Sequence, residues 1–175
     1  LALLLSGRTS QDPRIVNAIE FLRNVNMNGT YAVSLRAHCW AALPDPYLRY
    51  LEKDAKWLMA AHRDSLFDYG QRLSSGTRFD HSVTQYGVLG LWEFKKRGGR
   101  MNNRFWRDAL RHFLAVQGTD GGWSYQPSPL RSSTGTMTAA GLTVLYVAQQ
   151  QLHRKAVVVD PQITYAIDRG LAWLD

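Results

Sequence analysis

The residues of this chain best placed for acid–base work are Asp80 and His81. A carboxylate beside an imidazole offers a proton acceptor and a group that titrates near neutral pH. The pair stands directly before the apolar segment "SVTQYGVLGLW" (82–92). If that segment is a helix, its N-terminal dipole stabilises Asp80 as an anion. The plainer role for Asp80 is then the helix N-cap. Asp80 and His81 are therefore the candidate catalytic residues, with capping as the competing role. Asp64 and Asp68 lie four residues apart and read as exposed loop or helix-end groups, since carboxylates are seldom buried unpaired. Tyr86 and Tyr146 fall in apolar segments and would line a cavity or simply pack in a core. His62, His112 and His153 lie among polar residues at segment ends and read as solvent-facing, whereas His38 reads as a hydrogen-bonded core histidine.

Charge supplies the next candidate. The 175 residues carry a net charge of +7. Residues 95–111 hold seven cations against the single acid Asp108. Arg104, Arg107 and Arg111 recur at helical spacing and share one face. They form either a solvated face or a docking strip for an anionic partner: a lipid headgroup, a diphosphate or an acidic protein surface. Nucleic acid is not expected, because the aromatics lie in apolar periodic segments rather than among these bases. The single cysteine, Cys39, excludes an internal disulfide framework and a multi-cysteine zinc site.

These residues must be positioned by helices. At 45% hydrophobic and 20% charged residues the composition is that of one globular unit. No apolar run approaches the ~18 residues of a membrane span. The start at Leu1 and the end inside a fresh helical segment suggest a piece of a longer protein. "DPRIVNAIEFL" (12–22) returns as "DPQITYAIDRGLAWL" (160–174), and related endings close "YLEKDAKWL" (50–58) and "RFWRDALRHFL" (104–114). Asp12-Pro13 and Asp160-Pro161 mark helix starts, with Asp as N-cap and Pro at the first helical position. A second type of segment follows three of these. "TQYGVLGL" (84–91) matches "TAAGLTVL" (138–145), and "RAHCWAAL" (36–43) is placed in register with Cys39 against Gly87 and Gly141. This second type is apolar nearly all round, which predicts helices buried on every side. The reading is all-α: αα-hairpins at about 12–43, 50–94 and 103–152, and the start of another at 160–175. "AVVVD" (156–160) is taken as a connector. Between the two segments of the third hairpin lies "GTDGGWSYQ" (118–126). There Gly118 is expected to cap a helix C-terminus. Gly121 and Gly122 would allow a tight reversal, and Trp123 and Tyr125 would fold back over the apolar ends of the hairpin.

Gln117-Gly118-Thr119-Asp120-Gly121-Gly122-Trp123, with Phe113-Leu114 upstream, resembles the Gln-x-x-x-Gly-x-Trp repeat (the QW motif) of squalene–hopene and oxidosqualene cyclases. The wider group similar to it includes protein prenyltransferase β subunits and complement thioester domains. The resemblance implies an α/α toroid of alternating inner and outer helices, here about half a ring, with Gln117, Gly121 and Trp123 as structural residues. It implies an inner cavity for an apolar, isoprenoid-type ligand, and the rest of the ring elsewhere in the parent chain. The group's catalytic signatures are absent. There is no Asp-x-Asp-Asp acid, no Asp-Asp-x-x-Asp metal motif and no Gly-Cys-Gly-Glu-Gln thioester sequence. The zinc set of the prenyltransferases is incomplete, with Ala37 where Asp is expected before Cys39 and only His81 for the histidine, so neither metal nor cofactor is expected. No nucleophile elbow or phosphate loop occurs. Two functions follow as expectations: a segment of a bacterial-type, cyclase-like protein whose cavity takes an apolar ligand, or a non-catalytic toroid serving as a scaffold or interaction module through its basic strip. Whether the parent is an enzyme is left open.

Overall fold

A computed structural model describes residues 1–70, 79–126, 132–152 and 160–175. Among them are eight α-helices and no strand. These are α1 (Ala2–Leu5), α2 (Pro13–Asn24), α3 (Thr30–Ala41), α4 (Leu48–Ala61), α5 (His81–Lys96), α6 (Asn103–Ala115), α7 (Gly135–Leu152) and α8 (Pro161–Leu174), with a 3-10 turn at Asp45–Tyr47. None of the described helices is long and apolar enough to cross a membrane. Most of the connector 156–160, and His153, lie outside the described residues.

The helix starts are built from short polar side chains. Asp12, Asp80, Asn102 and Asp160 each accept a hydrogen bond from the backbone N–H two residues on, and Pro13 and Pro161 follow their caps. A cap satisfies one of the orphan donors of the first turn and contributes about 1 kcal/mol. Helices α3, α5 and α7 pack side by side; α4 packs on α3 and α5, and α6 and α8 pack on α7. The large core runs through α3–α8 around Leu58, Phe67, Leu91, Trp106, Trp123 and Leu145. A smaller cluster joins α2 to α3 and α4 through Ile15, Ile19, Trp40 and Leu51.

Two linkers use one device to reach this core. The backbone N–H of Phe67 donates to Thr84 Oγ1 at 3.1 Å, and that of Trp123 donates to Thr138 Oγ1 at 3.2 Å. Each ring lies against the glycine three residues later: a Cβ on Gly87 would meet Phe67 at 2.6 Å, and one on Gly141 would meet Trp123 at 2.5 Å. The Thr-x-x-Gly pattern is thus a seat for an aromatic side chain.

Four sequence expectations are corrected. Cys39 does not occupy the place of Gly87 and Gly141: it is half-exposed, whereas Ala37 is fully buried and carries Ser34 three residues before it. Gly118 does not cap α6, which ends at Ala115 with Val116 as cap, and the left-handed residue of that linker is Gly121 at φ +98°. Tyr125 is 42% exposed rather than folded over the hairpin, while Trp123 is fully buried. The second helix type is not buried all round, because α3, α5 and α7 each keep one exposed or half-exposed stripe.

Candidate functional site

That stripe is the first feature with functional content. Its exposed large hydrophobic members are Leu35 on α3, at 47%, and Tyr146 on α7, at 49%. Between them α5 contributes Tyr86, Leu89 and Trp92, all half-buried. The Tyr86 ring meets that of Tyr31 from α3 at 4.8 Å, edge to face. Trp92 Nε1 donates to Gln150 Oε1 of α7 at 3.0 Å. These contacts place the three stripes on one side of the helix row. Helix α7 has no charged residue along its length, and α5 has none from Ser82 to Trp92. The side is therefore largely apolar and aromatic, with charge at its Trp92 end, where the Lys96 ammonium lies 4.2 Å from the centre of the Trp92 ring and His38 faces Glu93.

Asp80 and His81 are neighbours in sequence but serve separate ends. Asp80 Oδ1 accepts from the Ser82 backbone N–H at 2.8 Å and from the Ser82 hydroxyl, whose oxygen also contacts the Tyr31 phenol at 2.5 Å. The nearby Asp80 charge holds the Tyr69 phenol above its ordinary range. His81 is fully buried. Its Nδ1 lies 2.6 Å from the Ser124 carbonyl and its Nε2 lies 2.9 Å from His112 Nε2. A carbonyl only accepts, so Nδ1 carries the proton, and His81 Nε2 accepts from His112 Nε2–H. Burial lowers the pKa of His81. Burial and then the neighbouring His81 push His112 down to about 4. Both rings are neutral at pH 7, and neither is free for proton transfer. His112 thus departs from its expected solvent-facing role. His62 does so too, half-buried against the rings of Phe67 and Phe105. His38 is half-buried and faces Glu93 at 3.5 Å. Among the described residues no cluster of three or more His, Cys, Asp or Glu could hold a metal.

The basic strip lies in solvent. The side chains of Arg104 and Arg111 are 74% and 76% exposed, bracing Asp108 at 3.2 and 3.5 Å, and Arg107 is exposed between them. Gln117, Gly121 and Trp123 meet where α6, α7 and α8 come together. Gln117 Nε2 donates to the carbonyls of Gly121 (2.8 Å) and Ala166 (2.7 Å), and Trp123 Nε1 donates to Phe113 O (2.9 Å).

Sequence reasoning missed the most buried ion pair. Asp54 on α4 is 2% exposed and accepts from Arg36 Nε (2.9 Å), Arg36 Nη2 (2.7 Å) and Trp40 Nε1 (3.0 Å). Arg36 Nη1 also donates to Val25 O at 3.1 Å, closing the end of α2. In its amphipathic helix Asp54 reads as one more surface charge between Lys53 and Lys56. The usable signal was an arginine inside an otherwise apolar α3, which needs an acid partner. No family model, curated protein or solved structure matches this chain.

Proposed function

We propose that this chain is part of an α/α toroid whose inner surface, the largely apolar side of α3, α5 and α7, holds an apolar ligand. The resemblance at 117–123 makes an isoprenoid-type molecule the leading class, with the remaining half of the ring in the parent chain. One observation carries the reading: Leu35, Tyr86, Leu89, Trp92 and Tyr146 stay solvent-accessible on helices whose other sides form the core. A contiguous exposed apolar surface of this kind marks a ligand or interaction surface. The reading assigns no catalytic acid within these residues, since Asp80 caps a helix and His81 is held by two partners.

The test is a titration with squalene and with prenyl diphosphates, followed by tryptophan fluorescence. Saturable binding that disappears in Leu35→Glu and Tyr146→Glu is the expected outcome. Binding that ignores both substitutions, or none at all, overturns the reading. Both side chains are exposed, so the variants should fold.

A second reading, a non-catalytic scaffold docking through Arg104, Arg107 and Arg111, rests on the exposure of all three. It predicts binding to vesicles of anionic phospholipid that is lost when the three become Gln.

A further inference from the structure

A cavity of about 530 Å³ opens between α4 and the turn at residues 97–100 that follows α5, a volume within the range of small-molecule sites. Its floor is apolar, made by Leu48, Leu51 and Met59 of α4 and Phe94 of α5. Four cations stand around that floor, Arg49 and Lys56 from α4 and Arg97 and Arg100 from the turn, against one lining acid, Glu52.

The turn is fixed by its own backbone. The N–H of Gly98 donates to the Lys95 carbonyl at 3.2 Å and that of Gly99 to the Phe94 carbonyl at 2.9 Å, the paired bonds of a Schellman helix ending. That ending requires a left-handed residue, which Gly98 supplies at φ +89°. Gly99 lies so close to the Phe94 ring that a Cβ there would clash with it. Arg97 and Arg100 bracket the two glycines and are thereby held at the cavity.

Helix electrostatics explains only part of this ring of charge. Cations at a helix end offset its dipole, and Arg97 serves α5 in that way. Arg49 does the opposite: it sits in the first turn of α4, where the dipole disfavours a cation. Its guanidinium rests on the neighbouring Tyr50 ring and donates to that phenol at 3.1 Å, which leaves the charge uncompensated. Lys56 pairs with Glu52 at 2.9 Å and Arg97 with Asp45 at 2.6 Å, but both are surface pairs, and such pairs hold their members weakly. Arg100 is exposed and has no acid partner among the described residues.

We propose that this cavity binds an anionic amphiphile, its chain against Leu48, Met59 and Phe94 and its acidic head on Arg49, Arg97 and Arg100. An apolar floor favours a hydrocarbon chain, and guanidinium groups meet a phosphate or carboxylate through charge-assisted, forked hydrogen bonds. The inference does not depend on the inner-side reading, because Leu35 and Tyr146 do not line the cavity, nor on the basic strip, because Arg104, Arg107 and Arg111 do not line it either.

Calorimetric titration of the chain with decyl phosphate, kept below the concentration at which it forms micelles, tests the proposal. The expected result is saturable binding with Kd below about 1 mM, weakened about 10-fold by Arg49→Gln and by Arg100→Gln. Inorganic phosphate or decanol alone should bind at least about 10-fold more weakly, since each meets only half of the site. Leu35→Glu, and replacement of Arg104, Arg107 and Arg111 by Gln, should both leave the affinity unchanged. Absence of saturation overturns the proposal, as does an affinity unaltered in Arg49→Gln and Arg100→Gln. Loss of binding in Leu35→Glu would move the ligand to the inner side, and an equal loss in the strip variant would reduce the effect to general attraction by a net charge of +7; either overturns it. Once binding is established, sedimentation with vesicles of anionic phospholipid identifies the source. Association lost in the same two variants places the amphiphile in a membrane, and titration without association makes it a soluble one. Circular dichroism of the Gln variants confirms that the fold is intact.

Discussion

The joint of α2, α3 and α4 and the joint of α6, α7 and α8 solve one problem in opposite ways. Each must tie the end of one helix to the next two. In the second, the linker delivers Trp123, whose ring fills the space against Gly141 and Gly170, and Gln117 bridges to α8. In the first, the linker delivers no aromatic, and the helices supply the tie as an ion pair, Arg36–Asp54, joined by Trp40. A ring fills volume; a guanidinium and a carboxylate fix an orientation and leave room beside them. The difference accounts for a joint filled by the Trp123 ring at one place and a cavity of about 520 Å³ at the other.

The largest effect is expected where charge replaces volume. Asp54→Ala should destabilise the fold by about 3–5 kcal/mol, because it leaves the Arg36 charge nearly buried and unpaired. Denaturant unfolding measures it. A loss below about 1 kcal/mol would mean that the first joint is held by packing as the second is, and the contrast would fail.

Next comes the aromatic seat. Gly141→Ala places a methyl 2.5 Å from the Trp123 ring, and overpacking of this kind costs about 1–3 kcal/mol. Ala37 tolerates its methyl group at the matching place because no linker ring lies there. Ala37→Gly should therefore relieve no clash and cost the helix-propensity difference plus one buried methyl, about 1–2 kcal/mol. Thermal unfolding of the pair, repeated with Trp123→Phe, sharpens the point: a smaller ring should soften the cost of Gly141→Ala. Strict additivity would place the clash elsewhere.

Local signals made part of this legible. The Asp-Pro helix starts, the aromatic–Leu endings and a buried Trp123 could be read because each is settled within a few residues by capping, periodicity or size. The Arg36–Asp54 pair could not, since its members are 18 residues apart and hydrophobic periodicity reports which face is buried, not which polar group meets which. The register of Cys39 failed because matching small residues by type ignored the preceding Ser or Thr. In the structure Ser34, Thr84 and Thr138 each stand three residues before a buried small residue, but only Thr84 and Thr138 accept from a linker N–H, whereas the Ser34 hydroxyl donates to the Tyr86 carbonyl. The His81–His112 contact spans 31 residues, and nothing local in "RHFLA" separates it from an exposed histidine.

That contact gives the third prediction. Both imidazoles are neutral in the fold, with pKa values below the unfolded 6.5. The unfolded chain therefore binds more protons below pH 6.5, so stability is full above that value and falls as the pH drops toward about 4. With discounting for partial exposure the loss is on the order of 1–2 kcal/mol. Tyr125 O and Ser124 O both accept from His81, so the acid-sensitive element is the linker of the third hairpin. No histidine lines the cavity at the first joint. His112→Gln, which still offers an N–H to His81, should flatten the decline in melting temperature between pH 7 and 5. An unchanged decline would move the sensitivity to another group.

The smallest effect sets arginine against arginine. Arg36 is nearly buried and ties α3 to α4 through Asp54 and to the end of α2 through Val25 O, whereas Arg104, Arg107 and Arg111 extend into water from the helix that leads into the second joint. Surface ion pairs such as those to Asp108 contribute little, since high dielectric weakens the attraction and two long side chains lose freedom. Replacing the three by Gln should alter stability by no more than about 0.5 kcal/mol, and raising the salt concentration should leave it equally unmoved. Calorimetric melting at low and high salt checks both. A marked fall would mean that the aliphatic stems cover apolar surface of α6, and these cations would then belong to the packing of the closed joint rather than to a partner. An unaltered melt leaves them as charges with no task inside the fold, which is what a surface kept for an anionic partner requires.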